Sequence, residues 1–231
     1  MNSTRSLRYI VVEGAIGVGK TSLAKRLAAT FDSDPLLESV DDNPFLERFY
    51  QDPKSAALAT QLQFLFTRSQ QVQALRQSDL FRPAYVADFM LEKDRLFAQL
   101  TLDEHELRLY EQVYERVEID APSPDLVIYL QAPVEVLLRR IAQRGRKWEQ
   151  KVAPAYLERL AEGYTQFFYH YDEAPLLIVN AAEIDLVSSE QDYEQLLQQI
   201  RSIRSGRHYF NPIPLPLWPG RYRFHACNWL K

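Results

Sequence analysis

The 231-residue chain has 46% hydrophobic and 25% charged residues, with a formal net charge of -4. Such a composition fills a core and excludes disorder as the main state, and the acidic balance argues against a nucleic-acid polymer as partner. A lone cysteine, Cys227, excludes an intrachain disulfide and a thiolate zinc cage. No apolar run approaches the roughly 20 residues of a membrane span, so the expectation is a cytoplasmic protein with no membrane partner and no signal segment at its start.

Residues 8–14 form a short apolar run ending in glycine, the pattern of a strand buried on both faces. A helix follows over 20–31, with Leu23, Leu27 and Phe31 at a spacing of four. Residues 36–38 are a weak second strand. Asn43-Pro44 and Asp52-Pro53 each read as an N-cap with proline at the first helical position. Beyond Pro53 no glycine or proline occurs up to Ser78, while Leu58, Leu62, Leu65, Ser69 and Val72 recur at helical spacing, so 53–78 is a long helix. A strand is predicted at 84–89, helices near 91–99 and 103–117, and a break at the proline-containing linker 120–124. Then come a strand at 126–130, a helix from Pro133 to Arg144, a basic segment, a helix over 154–171, a strand at 176–179 and a helix over 188–204. This alternation predicts a parallel α/β sheet of five strands. Residues 1–206 read as one domain. Four prolines between Pro212 and Pro219 make 207–231 an extended or disordered tail.

Gly14-Ala15-Ile16-Gly17-Val18-Gly19-Lys20-Thr21 fits the pattern G-x-x-x-x-G-K-[ST], between a predicted strand and a predicted helix. In that setting the loop through Ser22 turns successive backbone N–H groups onto phosphate oxygens. Lys20 reaches the β- and γ-phosphates of ATP and the Thr21 hydroxyl holds Mg²⁺. The fold class is therefore a P-loop NTPase-type three-layer α/β/α fold. The motif by itself does not separate switches, ATPases and small-molecule kinases.

Three later features bear on that choice. Residues 139–147 carry five cations in nine positions, including Arg140, Arg144 and Arg146; they could form an arginine-rich lid over ATP, or a solvated face. Asp88, at a predicted strand end, could serve the metal, or cap a helix. Glu38, at the end of the weak second strand, could take a proton from an acceptor hydroxyl, or be a plain surface acid.

The ordered set Glu38-Ser-Val, Asn43-Pro-Phe-Leu-Glu-Arg-Phe-Tyr50, Gln61 with Arg68, Asp88 with Asp94-Arg95, and Arg144-Gly-Arg146 followed by Glu149 resembles the deoxyribonucleoside kinase family, in particular its bacterial deoxyadenosine/deoxyguanosine kinase branch. The resemblance runs from about Tyr9 to Arg204. It implies ATP as phosphate donor, Mg²⁺, a deoxynucleoside acceptor (a purine deoxynucleoside or deoxycytidine) and a homodimer. It also implies Glu38 as general base on the 5′-hydroxyl, Tyr50 and Glu149 on the 3′-hydroxyl and Gln61 on the base edge. Arg68 and Asp94 would flank the base as a charged pair, Asp88 would serve the metal, and Arg140, Arg144 and Arg146 the donor phosphates. Phe45, Phe49, Phe64 and Phe89 could wall the nucleoside slot or simply pack. The family commonly has arginine directly after the acid at the third strand; here Phe89 follows Asp88. Arg95 is the first candidate to supply that charge, with Lys93 and the lid arginines behind it. Two other readings share the motifs: a nucleotide-binding regulator without turnover, and a nucleoside-monophosphate kinase similar to thymidylate kinase.

Overall fold

The computed structural model describes residues 7–78, 84–117, 121–146 and 148–211. Six parallel strands form one sheet in the order β2-β3-β1-β4-β5-β6. They are β1 (Tyr9–Gly14), β2 (Asp34–Leu36), β3 (Tyr85–Ala87), β4 (Leu126–Gln131), β5 (Leu176–Asn180) and β6 (Arg207–Phe210). Ile10 to Gly14 of β1 and Leu126 to Leu130 of β4 are buried without alternation, so both faces of the sheet are covered, which is why these strands read as continuous apolar runs.

Eight α-helices are present among the described residues: α1 (Lys20–Thr30), α2 (Leu46–Gln51), α3 (Pro53–Ser78), α4 (Lys93–Thr101), α5 (Glu104–Arg116), α6 (Val134–Arg144), α7 (Pro154–His170) and α8 (Glu190–Ser202). At 26 residues, α3 is about 39 Å long. Asp103 caps α5 by accepting from the His105 and Glu106 amides at 2.8 and 2.9 Å, while Glu106 reaches back to the Asp103 amide. Asn43 does not open a helix. Its Oδ1 accepts from the Phe45 amide at 3.0 Å and its Nδ2 donates to the Thr60 carbonyl at 3.1 Å, tying the start of α2 to α3. A small apolar cluster of Leu46, Phe49, Ala56 and Ala57 packs behind that junction.

The sheet corrects the expected five strands to six. β6 begins directly after Gly206, in the segment read as tail, and pairs with β5 from Leu176↔Arg207 to Val179↔Phe210. A four-residue edge strand of alternately exposed and half-buried residues carries too little apolar signal to stand out beside a proline run. The rest of the tail expectation, 212–231, lies outside the described residues. β2 also sits two residues earlier than expected, so Glu38 lies beyond the strand end instead of within it.

After β1 the chain builds β2 and β3 on one side, then crosses to β4 on the other. Parallel sheets bind ligands at the carboxyl ends of strands on either side of such a reversal. Gly14 ends β1 there, and Asp88 and Glu38 follow β3 and β2.

Candidate active site

The loop after β1 is packed so tightly that only glycine fits at two points. A Cβ on Gly14 (φ +147°) would lie 2.4 Å from the Leu130 carbonyl oxygen, and one on Gly17 (φ +84°) 2.9 Å from that of Leu137 in α6. Lys20, the first residue of α1, donates from Nζ to the carbonyls of Gly14 at 2.7 Å and Ala15 at 3.4 Å. Burial first, and the neighbouring Lys93 charge second, lower its pKa. The Thr21 hydroxyl donates to Asp88 Oδ2 at 2.5 Å, and Asp88 Oδ1 accepts from the Glu38 amide at 2.7 Å. Asp88 is therefore no helix cap, since Glu92 precedes α4. It couples the phosphate loop to the backbone of Glu38. Two hard oxygen donors side by side fit Mg²⁺, which takes few protein ligands and completes its shell with phosphate oxygens and water.

The Glu38 side chain is 13% exposed and is no surface acid. Its Oε1 accepts from Arg68 Nε at 2.9 Å and from Arg68 Nη2, and its Oε2 accepts from Lys93 Nζ at 3.2 Å. Burial alone would raise its pKa, but the Arg68 and Lys93 charges outweigh that and hold it down to about 2. The other arm of Arg68 pairs with fully buried Asp94. Arg68 and Asp94 thus form the charged pair expected beside a base, with an addition: the same guanidinium grips Glu38.

Lys20, Thr21, Glu38, Arg68, Asp88 and Lys93 border a cavity of about 390 Å³; Asp94, fully buried, does not line it. Tyr50 and Glu149 both line it; Trp148 stacks on Tyr50 at 5.4 Å between centroids, and Arg144 Nε donates to Glu149 Oε2 at 2.8 Å. Burial, then the Tyr156 and Glu149 charges, push the Tyr50 phenol well above its ordinary range, so it stays a neutral donor. Gln61, also lining the cavity, donates from Nε2 to Thr101 Oγ1 at 3.2 Å, and that hydroxyl donates onward to the Phe97 carbonyl. Phe49 and Phe64 are among the walls, whereas Phe45 and Phe89 are not.

A second cavity, of about 510 Å³, opens on the other side of the phosphate loop between α6 and residues 184–187. The two cavities share Gly17, Lys20, Thr21, Ser22 and Arg144. The basic segment is not gathered at one point. Arg140 lines the second cavity and donates to the Val18 carbonyl at 3.2 Å and that of Ala181 at 2.8 Å, while Arg146 donates to Asp41 at 2.9 Å.

Arg95 does not reach the site. Its side chain is 45% exposed, pairs with Glu111 at 2.8 Å and lies over the Tyr114 ring at 4.3 Å. Exposed pairs contribute at most about 1 kcal/mol, so Arg95→Ala is expected to keep kcat within twofold of wild type and to shift thermal melting by a few degrees at most. Steady-state assays and melting curves check both. Phe89 is fully buried, and Lys93, 2% exposed, stands at the site instead.

Glu13 escaped the sequence reading. It is fully buried at the end of β1. Its Oε2 accepts from the Gly14 amide and the Tyr164 hydroxyl, both at 3.0 Å, and its Oε1 accepts from the Met90 amide at 2.8 Å with Lys93 Nζ 3.5 Å away. A charge closing an apolar strand was the available signal.

A model described as "Deoxynucleoside kinase" matches residues 10–204; the chain belongs to the deoxynucleoside kinase family. It is similar to a deoxyguanosine kinase of Bacillus subtilis, 32% identical over 200 residues, covering 84% of this chain and 97% of the relative. It is also similar to a deoxyadenosine/deoxycytidine kinase of the same organism, 30% identical over 202 residues, covering 84% and 92%. Among solved structures, a deoxyadenosine kinase from M. mycoides with bound dATP aligns with a TM-score of 0.73 at 26% identity, over 84% of this chain and all of that one. The chain is an enzyme that phosphorylates a deoxynucleoside in an ATP-dependent reaction.

Proposed function

We propose that the chain transfers the γ-phosphoryl of ATP to the 5′-hydroxyl of a purine deoxynucleoside or deoxycytidine, as a cytoplasmic homodimer in nucleotide salvage. The observation that carries this reading is the pair of cavities meeting at Lys20 and Thr21, with Glu38 lining the cavity that holds Tyr50 and Gln61 and Arg140 lining the other. The nucleoside occupies the cavity bordered by Glu38, Tyr50 and Gln61, and ATP the one bordered by Arg140. Thr21 and Asp88 would hold Mg²⁺, which supplies charge neutralisation at the phosphates. Tyr50 and Glu149 hold the sugar 3′-hydroxyl, Gln61 and Arg68 face the base, and Asp94 anchors Arg68 from behind the wall. Glu38 accepts the 5′-hydroxyl proton, Lys20 holds the donor phosphates, and Arg140 and Arg144 steady the donor in the cavity they line, with Arg146 joining them when the donor is bound. The deoxyguanosine and deoxyadenosine/deoxycytidine kinases among the relatives support the base preference. The exposed Phe66 and Leu109, on α3 and α5, offer apolar surface for a second copy.

A coupled ATP assay across the four deoxynucleosides and their monophosphates tests the reading. Turnover is expected with deoxyadenosine, deoxyguanosine or deoxycytidine; turnover with monophosphates alone would replace it with a monophosphate kinase. Arg68→Met combined with Asp94→Ala is expected to relax the base preference toward thymidine. Because Arg68 also holds Glu38, the double variant should lower kcat on every substrate as well. Relative kcat/KM values unchanged across the four deoxynucleosides would show that the pair does not read the base.

A further inference from the structure

We propose that Lys93 is a catalytic residue, the cation that spans the acceptor base and the transferring phosphoryl; this rests on Glu38 acting as the base. Lys93 opens α4, where a cation opposes the helix dipole, and it is 2% exposed. Both features work against a lysine that serves only solubility. Its Nζ lies 3.2 Å from Glu38 Oε2 and 3.5 Å from Glu13 Oε1. Glu13 is itself held by three donors, the Gly14 and Met90 amides and the Tyr164 hydroxyl, so the clamp on Lys93 is rigid and tied to the first amide of the phosphate loop. The ammonium has three N–H groups, and these two carboxylates are its partners among the described residues. Lys93 lines the same cavity as Lys20 and Thr21, and its charge acts on Lys20. The ammonium groups of Lys20 and Lys93 line one cavity with the Glu38 carboxylate, at the carboxyl ends of β1 and β3, and so place positive charge next to a proton acceptor. That is the arrangement a phosphoryl group in transit needs. As the O5′–P bond forms and the bond to the leaving ADP oxygen breaks, the O5′ proton passes to Glu38. Lys93 takes up no proton; it stabilises the negative charge on the phosphoryl oxygens and keeps the Glu38 carboxylate aimed at O5′.

The test measures kcat, both KM values and thermal melting for wild type, Lys93→Met, Lys93→Arg and the double variant Glu13→Gln/Lys93→Met. Lys93→Met is expected to lower kcat by about 10²–10³-fold with both KM values within about threefold of wild type. Lys93→Met also takes the neighbouring positive charge from the buried Glu13 carboxylate, and the double variant removes that carboxylate charge as well. Its melting temperature should recover toward wild type while kcat stays at the Lys93→Met level. If Lys93→Met does not fold, the double variant carries the same comparison with wild type. Lys93→Arg retains the charge and is expected to keep at least about a tenth of kcat. Lys93→Met within threefold of wild-type kcat, recovery of kcat in the double variant, or Lys93→Arg as inactive as Lys93→Met would each overturn the assignment; recovery in the double variant would make Lys93 a counter-ion of Glu13 and nothing more. Failure of the underlying reading shows separately: Glu38→Gln with wild-type kcat removes the base, and with it the role given to Lys93, whatever the lysine variants do.

Discussion

Glu38→Gln is expected to lower kcat by about 10²–10⁴-fold while changing the KM for ATP little, because the amide keeps the shape of the carboxylate and loses its ability to take a proton. Steady-state kinetics with the preferred deoxynucleoside check this, and an unchanged kcat would take Glu38 out of the mechanism. A carboxyl held down to about 2 is ionised throughout the usual working range, so any acidic fall in activity above pH 4 belongs to another group. Such a carboxylate is a weak base. It suffices if the hydroxyl keeps its proton until the new bond to phosphorus is well formed, as a loose phosphoryl-transfer transition state allows. The same depression has a stability consequence. The folded pKa lies below the ordinary 4.5, so the contribution of Glu38 is present above that value and is lost as pH falls from about 4.5 toward 2. Melting temperatures recorded across that window should fall more steeply for wild type than for Glu38→Gln.

Lys20→Ala is expected to cost about 10³-fold or more in kcat, since it removes a preorganised charge at the phosphates. Its effect on folding should be small. Among the described residues the ammonium bonds to two carbonyls of its own loop, interactions of about 1 kcal/mol each. The variant should melt within a few degrees of wild type. Activity within tenfold of wild type would exclude Lys20 from phosphoryl transfer.

Much of this site was legible because its residues belong to patterns with short-range logic. The phosphate loop needs a strand before it, a helix after it and glycines between, all visible in 8–31. Glu38 and Asp88 stood out as acids at predicted strand ends, whereas Arg68 and Asp94 came only through the family resemblance. Arg95 misled because the face of α4 that turns to the site depends on where that helix starts, which the sequence does not mark. α4 starts at Lys93, and residues two apart on a helix point about 200° away from each other. With Lys93 turned into the site, Arg95 must face outward, where Glu111 and Tyr114 meet it. The double duty of Arg68 was beyond reach for a different reason: it depends on the distance between α3 and the end of β2, and no local pattern encodes that. Glu13 was hidden inside a strand whose apolar neighbours drew the attention, and β6 by the prolines that follow it.

The seating of Gly17 against α6 limits how the donor side can open and close. Leu137 and Ile141 meet the loop where even one methyl group would collide, and Arg140 bonds across to Val18. Helix and phosphate cradle therefore travel as one piece, and a swing of the whole helix would pull the cradle apart. Gly145 ends that helix in a left-handed conformation, with open space around the position a Cβ would take. Arg140 is thus part of the rigid frame of the donor-side cavity, while Arg146 and Trp148, beyond Gly145, line the cavity that holds Glu38.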